Sequence, residues 1–222
     1  IKPQVAFFER FGSAGFVALE RVLADARSAG LLVIADAKRG DIGSTFAAYA
    51  DAWLSPGSPL ESDALTVSPY LGFGSLEPAF NHVREHGKGL FVLAATSNPE
   101  ARSVQTAKRE DGRSLAQAMV DDALAFDSPL DTHVNSIGVV LGATLNLADF
   151  DIDTAAAPAT PALPVLAPGF GAQGARIEDA KAIFGGLGWA LLANESRGIL
   201  SGGAKGLAER IRTRSDVLAE AL

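Results

Sequence analysis

The 222-residue chain contains no cysteine. That excludes disulfides, thiolate nucleophiles and cysteine metal ligands, and it fits a reducing compartment. Histidine is also scarce, with three residues, His82, His86 and His133. His82 and His86 are spaced i, i+4 on a stretch that reads as helix, a spacing that can share a metal. That helix is expected on the outer layer with both rings solvated, and His133 stands alone in a polar segment. A Ser-His-Asp triad therefore lacks support, and no metal site is expected. No apolar run reaches 18 residues, so no membrane-spanning helix is expected. Basic residues are the minority, 19 against 26 acidic, for a net charge of −7. This balance argues against bulk binding to nucleic acid or to an anionic membrane. It does not oppose one anionic small molecule held by a local arginine and backbone amides. The chain opens Ile1-Lys2-Pro3-Gln4 without a basic segment leading into an apolar one, so no signal peptide is expected. No initiating methionine is present, so residues upstream are expected.

Hydrophobic residues make up 48% of the chain and charged residues 20%, as in an ordinary globular protein. Short apolar runs alternate with helical patterns. The expected strands are Ile1–Phe7, Leu31–Ala37, Ala64–Val67, Leu90–Ala95, Ile137–Leu141, Val165–Ala167 and Ala190–Ala193. The expected helices lie near 13–28, 43–53, 75–86, 113–126, 174–183 and 203–220; on the fourth, Leu115, Met119, Val120 and Leu124 share a face. This alternation implies an α/β protein of parallel strands covered by helices. Seven strands fit either an open doubly wound sheet or a (β/α)8 barrel whose first strand and helix lie before residue 1. Polar residues cluster after nearly every strand, which favours the barrel and a ring of loops around one mouth. One domain, 1–222, is expected, with the Ala- and Pro-rich Thr154–Pro164 as an extended surface connector.

Three constellations carry chemistry. In Asp36-Ala37-Lys38-Arg39-Gly40-Asp41 an apolar run ends in an Asp-x-Lys-x-x-Asp array. Residues two apart on a strand share a face, so Asp36 and Lys38 are expected to project together, with Asp41 following a turn through Gly40. An ammonium fixed between carboxylates can donate a proton and stabilise developing negative charge, which suits a reaction that makes and protonates a carbanion. Lys2 lies beside another apolar run, where a lysine is as often simply solvated. The second constellation is a phosphate site in two pieces. Pro168-Gly169-Phe170-Gly171-Ala172-Gln173-Gly174 follows one strand, and Asn194-Glu195-Ser196-Arg197-Gly198 follows the last. Glycines let backbone amides approach an oxyanion, and Arg197 offers a forked, permanently charged donor. The third is Thr96-Ser97-Asn98-Pro99 at a strand end, which suits either the edge of a heterocycle or a turn cap.

These residues resemble the orotidine 5′-monophosphate decarboxylases, specifically the bacterial branch with Lys-Pro-Gln and Asp-Ala-Lys-Arg-Gly-Asp-Ile-Gly-Ser-Thr motifs. The resemblance spans essentially the whole chain and includes Lys2–Glu9, Asp36–Thr45, Ser68–Gly74, Leu93–Pro99 and Pro168–Gly174. It implies a homodimeric (β/α)8 barrel that converts orotidine 5′-monophosphate to UMP and CO2, without a cofactor, in cytoplasmic pyrimidine synthesis. It also places residue 1 in the family's second strand. On this resemblance Lys2, Asp36, Lys38 and Asp41 form a charged tetrad. Asp36 lies near the substrate carboxylate, Lys38 protonates the carbon that loses CO2, and Lys2 orients Asp36 and contacts the ribose. Asp41 and Thr45 reach across the dimer into the partner's site. Ser97 bonds the pyrimidine edge, and Gln173, Ser196, Arg197 and Gly198 hold the phosphate. The alternatives are a magnesium-dependent sugar-phosphate decarboxylase or aldolase of the same superfamily, and a non-catalytic nucleotide-binding relative.

Overall fold

The computed structural model describes residues 1–126 and 133–222, in two compact units. The first is Ile1–Leu93. Its helices are α1 (Ala6–Glu9), α2 (Gly12–Ser28), α3 (Gly43–Leu54) and α4 (Glu77–His86). Strands β1 (Ile34–Arg39), β2 (Ala64–Val67) and β3 (Gly89–Ala95) pair in parallel in that order, and the last two residues of β3 belong to the second unit. Every residue of β2 is buried, as expected of a parallel strand covered on both faces. Around the strands Leu19 and Leu23 of α2, Phe46, Trp53 and Leu54 of α3, and Leu76 form a solvent-free core.

The expected first strand is corrected. Residues 1–5 run beside β1 but make only an isolated parallel bridge, Gln4 to Asp36, before α1 begins at Ala6. Pro3 contributes its carbonyl to the Asp36 N–H at 3.0 Å but has no N–H to return. The amides of Phe7 and Phe8 then turn back onto the carbonyls of Gln4 and Val5.

The second unit comprises Ala94–Phe126 and 133–222. It holds α5 (Arg102–Gln105), α6 (Leu115–Leu124), α7 (Ala180–Phe184), α8 (Arg197–Leu200) and α9 (Leu207–Ala221). Strands β4 (Ile137–Leu141), β5 (Val165–Pro168) and β6 (Leu191–Asn194) are parallel, in that order. The buried Ser114 caps α6, its hydroxyl accepting from Gln117 N–H at 3.0 Å and donating to the Phe150 carbonyl at 2.5 Å. The expected helix at 174–183 is a 3₁₀ turn, Ile177–Asp179, followed by the short α7. Thr154–Pro164 contains no helix or strand and makes one bridge, Val134 to Ala162. The expected alternation of strand and helix is thus observed in both units. Among the described residues no helix is long and apolar enough to cross a membrane.

Candidate active site

In the first unit the chemistry gathers on the irregular end of β1. Ile34 and Ala35 pair with Ala64 and Leu65, but the next pair is Arg39 with Val67. Four steps along β1 therefore match two along β2, and the extra residues bulge out. Lys38 sits in this bulge at φ +49°, a left-handed conformation that costs a non-glycine residue about 1–3 kcal/mol. Asp36 and Lys38 meet because the bulge turns the chain, not because the pleat alternates. Gly40 closes the turn: a Cβ there would lie 2.5 Å from the Ser68 carbonyl oxygen.

The array is one carboxylate between two ammoniums: Lys2 meets Asp36 as the resemblance implies, whereas the spacing alone suggested one ammonium between two carboxylates. Asp36, whose side chain is 8% exposed, accepts from Lys2 Nζ on Oδ2 at 2.5 Å and from Lys38 Nζ on Oδ1. Gln4 Nε2 adds a 3.2 Å bond to Oδ2, and the buried Thr66 hydroxyl donates to Oδ1 at 3.1 Å. Thr66 Oγ1 in turn accepts from the Lys38 N–H at 2.9 Å, so β2 supports both the carboxylate and the strained backbone. Burial pushes the Asp36 carboxyl up, but Lys2 foremost and then Lys38 outweigh it and hold the group below its ordinary value. Lys2 is 15% exposed and Lys38 44%. Lys38 can therefore be reached by a ligand while its ammonium remains anchored.

Asp41 lies outside the array. Its Oδ1 accepts from the Ile42 N–H at 2.8 Å, and among the described residues it pairs with no basic side chain. Thr45 is exposed on the first turn of α3. Sequence reasoning missed Thr66 and Gln4; a lone Thr in the otherwise apolar β2 was the available signal.

In the second unit Ser97 is exposed beyond β3, while the Thr96 hydroxyl bonds Asn98 and the Gln105 carboxamide, organising the turn. Gln173, Ser196, Arg197 and Gly198 are all exposed. The glycines do a different job from the one expected. Gly171 N–H donates to the Ala175 carbonyl at 2.8 Å and Gly174 N–H to the Gly171 carbonyl at 2.9 Å. Both amides are consumed by the turn and are not open to an anion. A third residue missed was Glu195, whose Oε2 accepts from Arg214 Nε of α9 at 2.7 Å and whose side chain is 7% exposed.

The outer-layer histidines are also corrected in part. His82 is not solvated: Nε2 lies 3.0 Å from Asp51 Oδ1 of α3, its ring is 13% exposed, and Nδ1 is buried without a partner. Among the described residues no group of three or more His, Asp or Glu is placed to hold a metal.

A parallel α/β scaffold with an ammonium–carboxylate–ammonium array at a strand end defines a protein suited to carbanion chemistry. Residues 1–202 match the family model described as Orotidine 5′-phosphate decarboxylase / HUMPS family, and the chain belongs to this family. It is 51% identical over 205 residues to the orotidine 5′-phosphate decarboxylase of Corynebacterium glutamicum (strain R), an alignment covering 91% of this chain and 71% of the relative. It is 51% identical over 217 residues to that of Streptomyces coelicolor, covering 97% and 74%. A crystal structure of the enzyme so described from Streptomyces avermitilis superposes with a TM-score of 0.88 at 50% identity, covering 99% of this chain and 75% of that one. The Leishmania donovani OMP decarboxylase gives a TM-score of 0.75 at 34% identity, covering 98% and 79%.

Proposed function

We propose that this protein decarboxylates orotidine 5′-monophosphate to UMP and CO2 in pyrimidine synthesis, on a (β/α)8 barrel acting as a cytoplasmic homodimer and without a cofactor. The observation that carries the proposal is the Asp36 carboxylate gripped by Lys2 and Lys38, with Lys38 held in a left-handed bulge. Family membership and relatives at about half identity point the same way.

In the reaction the bond between the pyrimidine carbon and its carboxylate breaks. CO2 leaves, and the electron pair stays on the carbon. The Lys38 ammonium faces that pair as it forms, stabilises it, and transfers a proton to the carbon; solvent returns a proton to the amine. Stabilisation that appears only as charge develops lowers the barrier and does not merely tighten binding. Repulsion between Asp36 and the substrate carboxylate is a second contribution, and the weaker argument of the two. Lys2 orients Asp36 and reaches the ribose. Ser97 reads the pyrimidine edge, and Gln173, Ser196, Arg197 and Gly198 take the phosphate. Asp41 and Thr45 serve the partner's site. In support, large apolar side chains are exposed nearby: Ile42 adjoins Asp41, and Tyr70 and Leu71 follow Ser68, whose N–H bonds the Arg39 carbonyl; they are 62%, 81% and 54% exposed.

The test is loss of the orotidine nucleotide followed by ultraviolet absorbance. Lys38→Ala is expected to remove nearly all turnover while UMP still binds, and Arg197→Ala is expected mainly to raise KM. Substantial turnover by Lys38→Ala would refute the proton-donor role. Turnover abolished by a chelator would favour the magnesium-dependent alternative, and UMP binding without turnover the non-catalytic one.

A further inference from the structure

The side chain of Glu195 turns away from its neighbours. Ser196, Arg197 and Gly198 are exposed, yet Glu195 folds inward and ends between two glycines. A Cβ on Gly171 would come 2.4 Å from Glu195 Oε1, and one on Gly198 would come 2.2 Å from the same oxygen. The carboxylate thus packs directly on both glycine backbones, one in the turn after β5 and one in α8. Its other oxygen is held at 2.7 Å by Arg214 of α9. A buried carboxylate is costly unless paired, and even a paired one adds little net stability. The charge therefore calls for a reason beyond packing.

We propose that Glu195 is a positioning residue of the phosphate site. It is a wedge, clamped by Arg214, that fixes the spacing between the Gly171–Gly174 turn bearing Gln173 and the start of α8 bearing Ser196 and Arg197. The inference rests on the reading of these two loops as phosphate-binding. A carboxylate is short, flat and rigid, so it fits against bare glycine Cα atoms where a branched side chain would not. Arg214 also cancels its charge. Without that partner the wedge would place an uncompensated anion close to the residues meant to receive a dianion.

This dual role makes an ordering that a purely structural ion pair does not. Arg214→Ala leaves the carboxylate unpaired and should weaken nucleotide binding more than Glu195→Ala does. The double variant should recover part of the Arg214→Ala loss. The experiment measures KM and kcat with orotidine 5′-monophosphate, and the Kd of UMP and of uridine by calorimetry, on the full chain. Glu195→Ala is expected to raise KM and the UMP Kd about tenfold or more, since small misplacements of binding groups cost one to two decades. Its kcat at saturation and its uridine Kd should move little. If Glu195→Ala does not fold, Glu195→Gln, which keeps the volume and an acceptor for Arg214, should show a smaller shift of the same kind. An unchanged UMP Kd in either folded variant, equal losses for UMP and uridine, or a double variant worse than Arg214→Ala would overturn the proposal. The wild type separates the two ideas. A wild type that does not bind UMP, or binds UMP no more tightly than uridine, removes the phosphate reading and this inference with it, whereas wild-type preference for UMP with unaltered Glu195 variants removes the inference alone.

Discussion

Thr66→Val tests whether β2 builds the array or merely adjoins it. The substitution is nearly isosteric, and Thr66 is 1% exposed, so little else should change. Two hydrogen bonds are lost, together with a longer contact of the hydroxyl to the Ala35 carbonyl at 3.5 Å. One runs from the hydroxyl to the Asp36 carboxylate at 3.1 Å, and the other from the Lys38 N–H to the hydroxyl at 2.9 Å. A bond to a charged group contributes about 1.5–3 kcal/mol and a neutral one about 1 kcal/mol. The cost is therefore about 2.5–4 kcal/mol, or about 5–16 °C in melting temperature for a chain of this size. The Lys38 amide then faces a methyl group at the residue whose φ of +49° most needs support.

Relaxation of the bulge should move the Lys38 ammonium relative to the reacting carbon, so kcat should fall by about tenfold or more while UMP affinity changes little. Thermal unfolding and steady-state kinetics on the same preparation decide the matter. A Thr66→Val protein that melts with the wild type and keeps its kcat would show that Lys2 and the bulge alone set Asp36 and Lys38.

Three further outcomes are expected. Asp36 has its carboxyl held below its ordinary value of 3.8, so its contribution to stability is complete above that value and disappears as pH falls through the lower folded-state value. Asp36→Asn should thus be less stable than the wild type at neutral pH, and the gap measured by denaturant unfolding should narrow below about pH 4. Lys38→Gly and Lys38→Ala both lack the ammonium, but only glycine adopts the left-handed conformation freely; the glycine variant should be the more stable by about 1 kcal/mol in chemical denaturation. Gly198 lies in helical backbone, where Gly→Ala ordinarily gains about 0.5–1 kcal/mol; it should destabilise the wild type because of Glu195 and stabilise Glu195→Ala.

Much of the fold was legible because parallel strands buried on both faces are written as short unbroken apolar runs. Ala64–Val67 and Ile137–Leu141 have the expected bounds. Ile1–Phe7 reads the same way but is not a strand, because Pro3 and the turn amides of Phe7 and Phe8 are decided by local backbone bonding that hydropathy does not register. At the site, residue types were legible and their geometry was not. The Asp-x-Lys spacing suggested alternation along a pleat, but a two-residue mismatch with β2 brings the pair together, and that mismatch is a property of two strands at once. Glycines in the late loops pointed to close approach. What approaches Gly171 and Gly198 is the Glu195 side chain, supplied by α9 with its counter-ion 19 residues further along the chain.

The Lys2–Asp36–Lys38 array bears directly on the proposed chemistry. A lysine standing alone opposite an anionic substrate would pair with the substrate carboxylate, binding ground state and transition state alike and gaining little in rate. Here Asp36 already occupies the Lys38 ammonium, so a second carboxylate finds the cation partly neutralised and an anion beside it. As neutral CO2 departs, the negative charge passes from the carboxylate to the ring carbon, and that electron pair is what Lys38 then meets. Lys2 makes this workable by keeping Asp36 ionised and fixed without reference to the substrate. On this account the second ammonium is what allows the first to be reserved for the step that needs it.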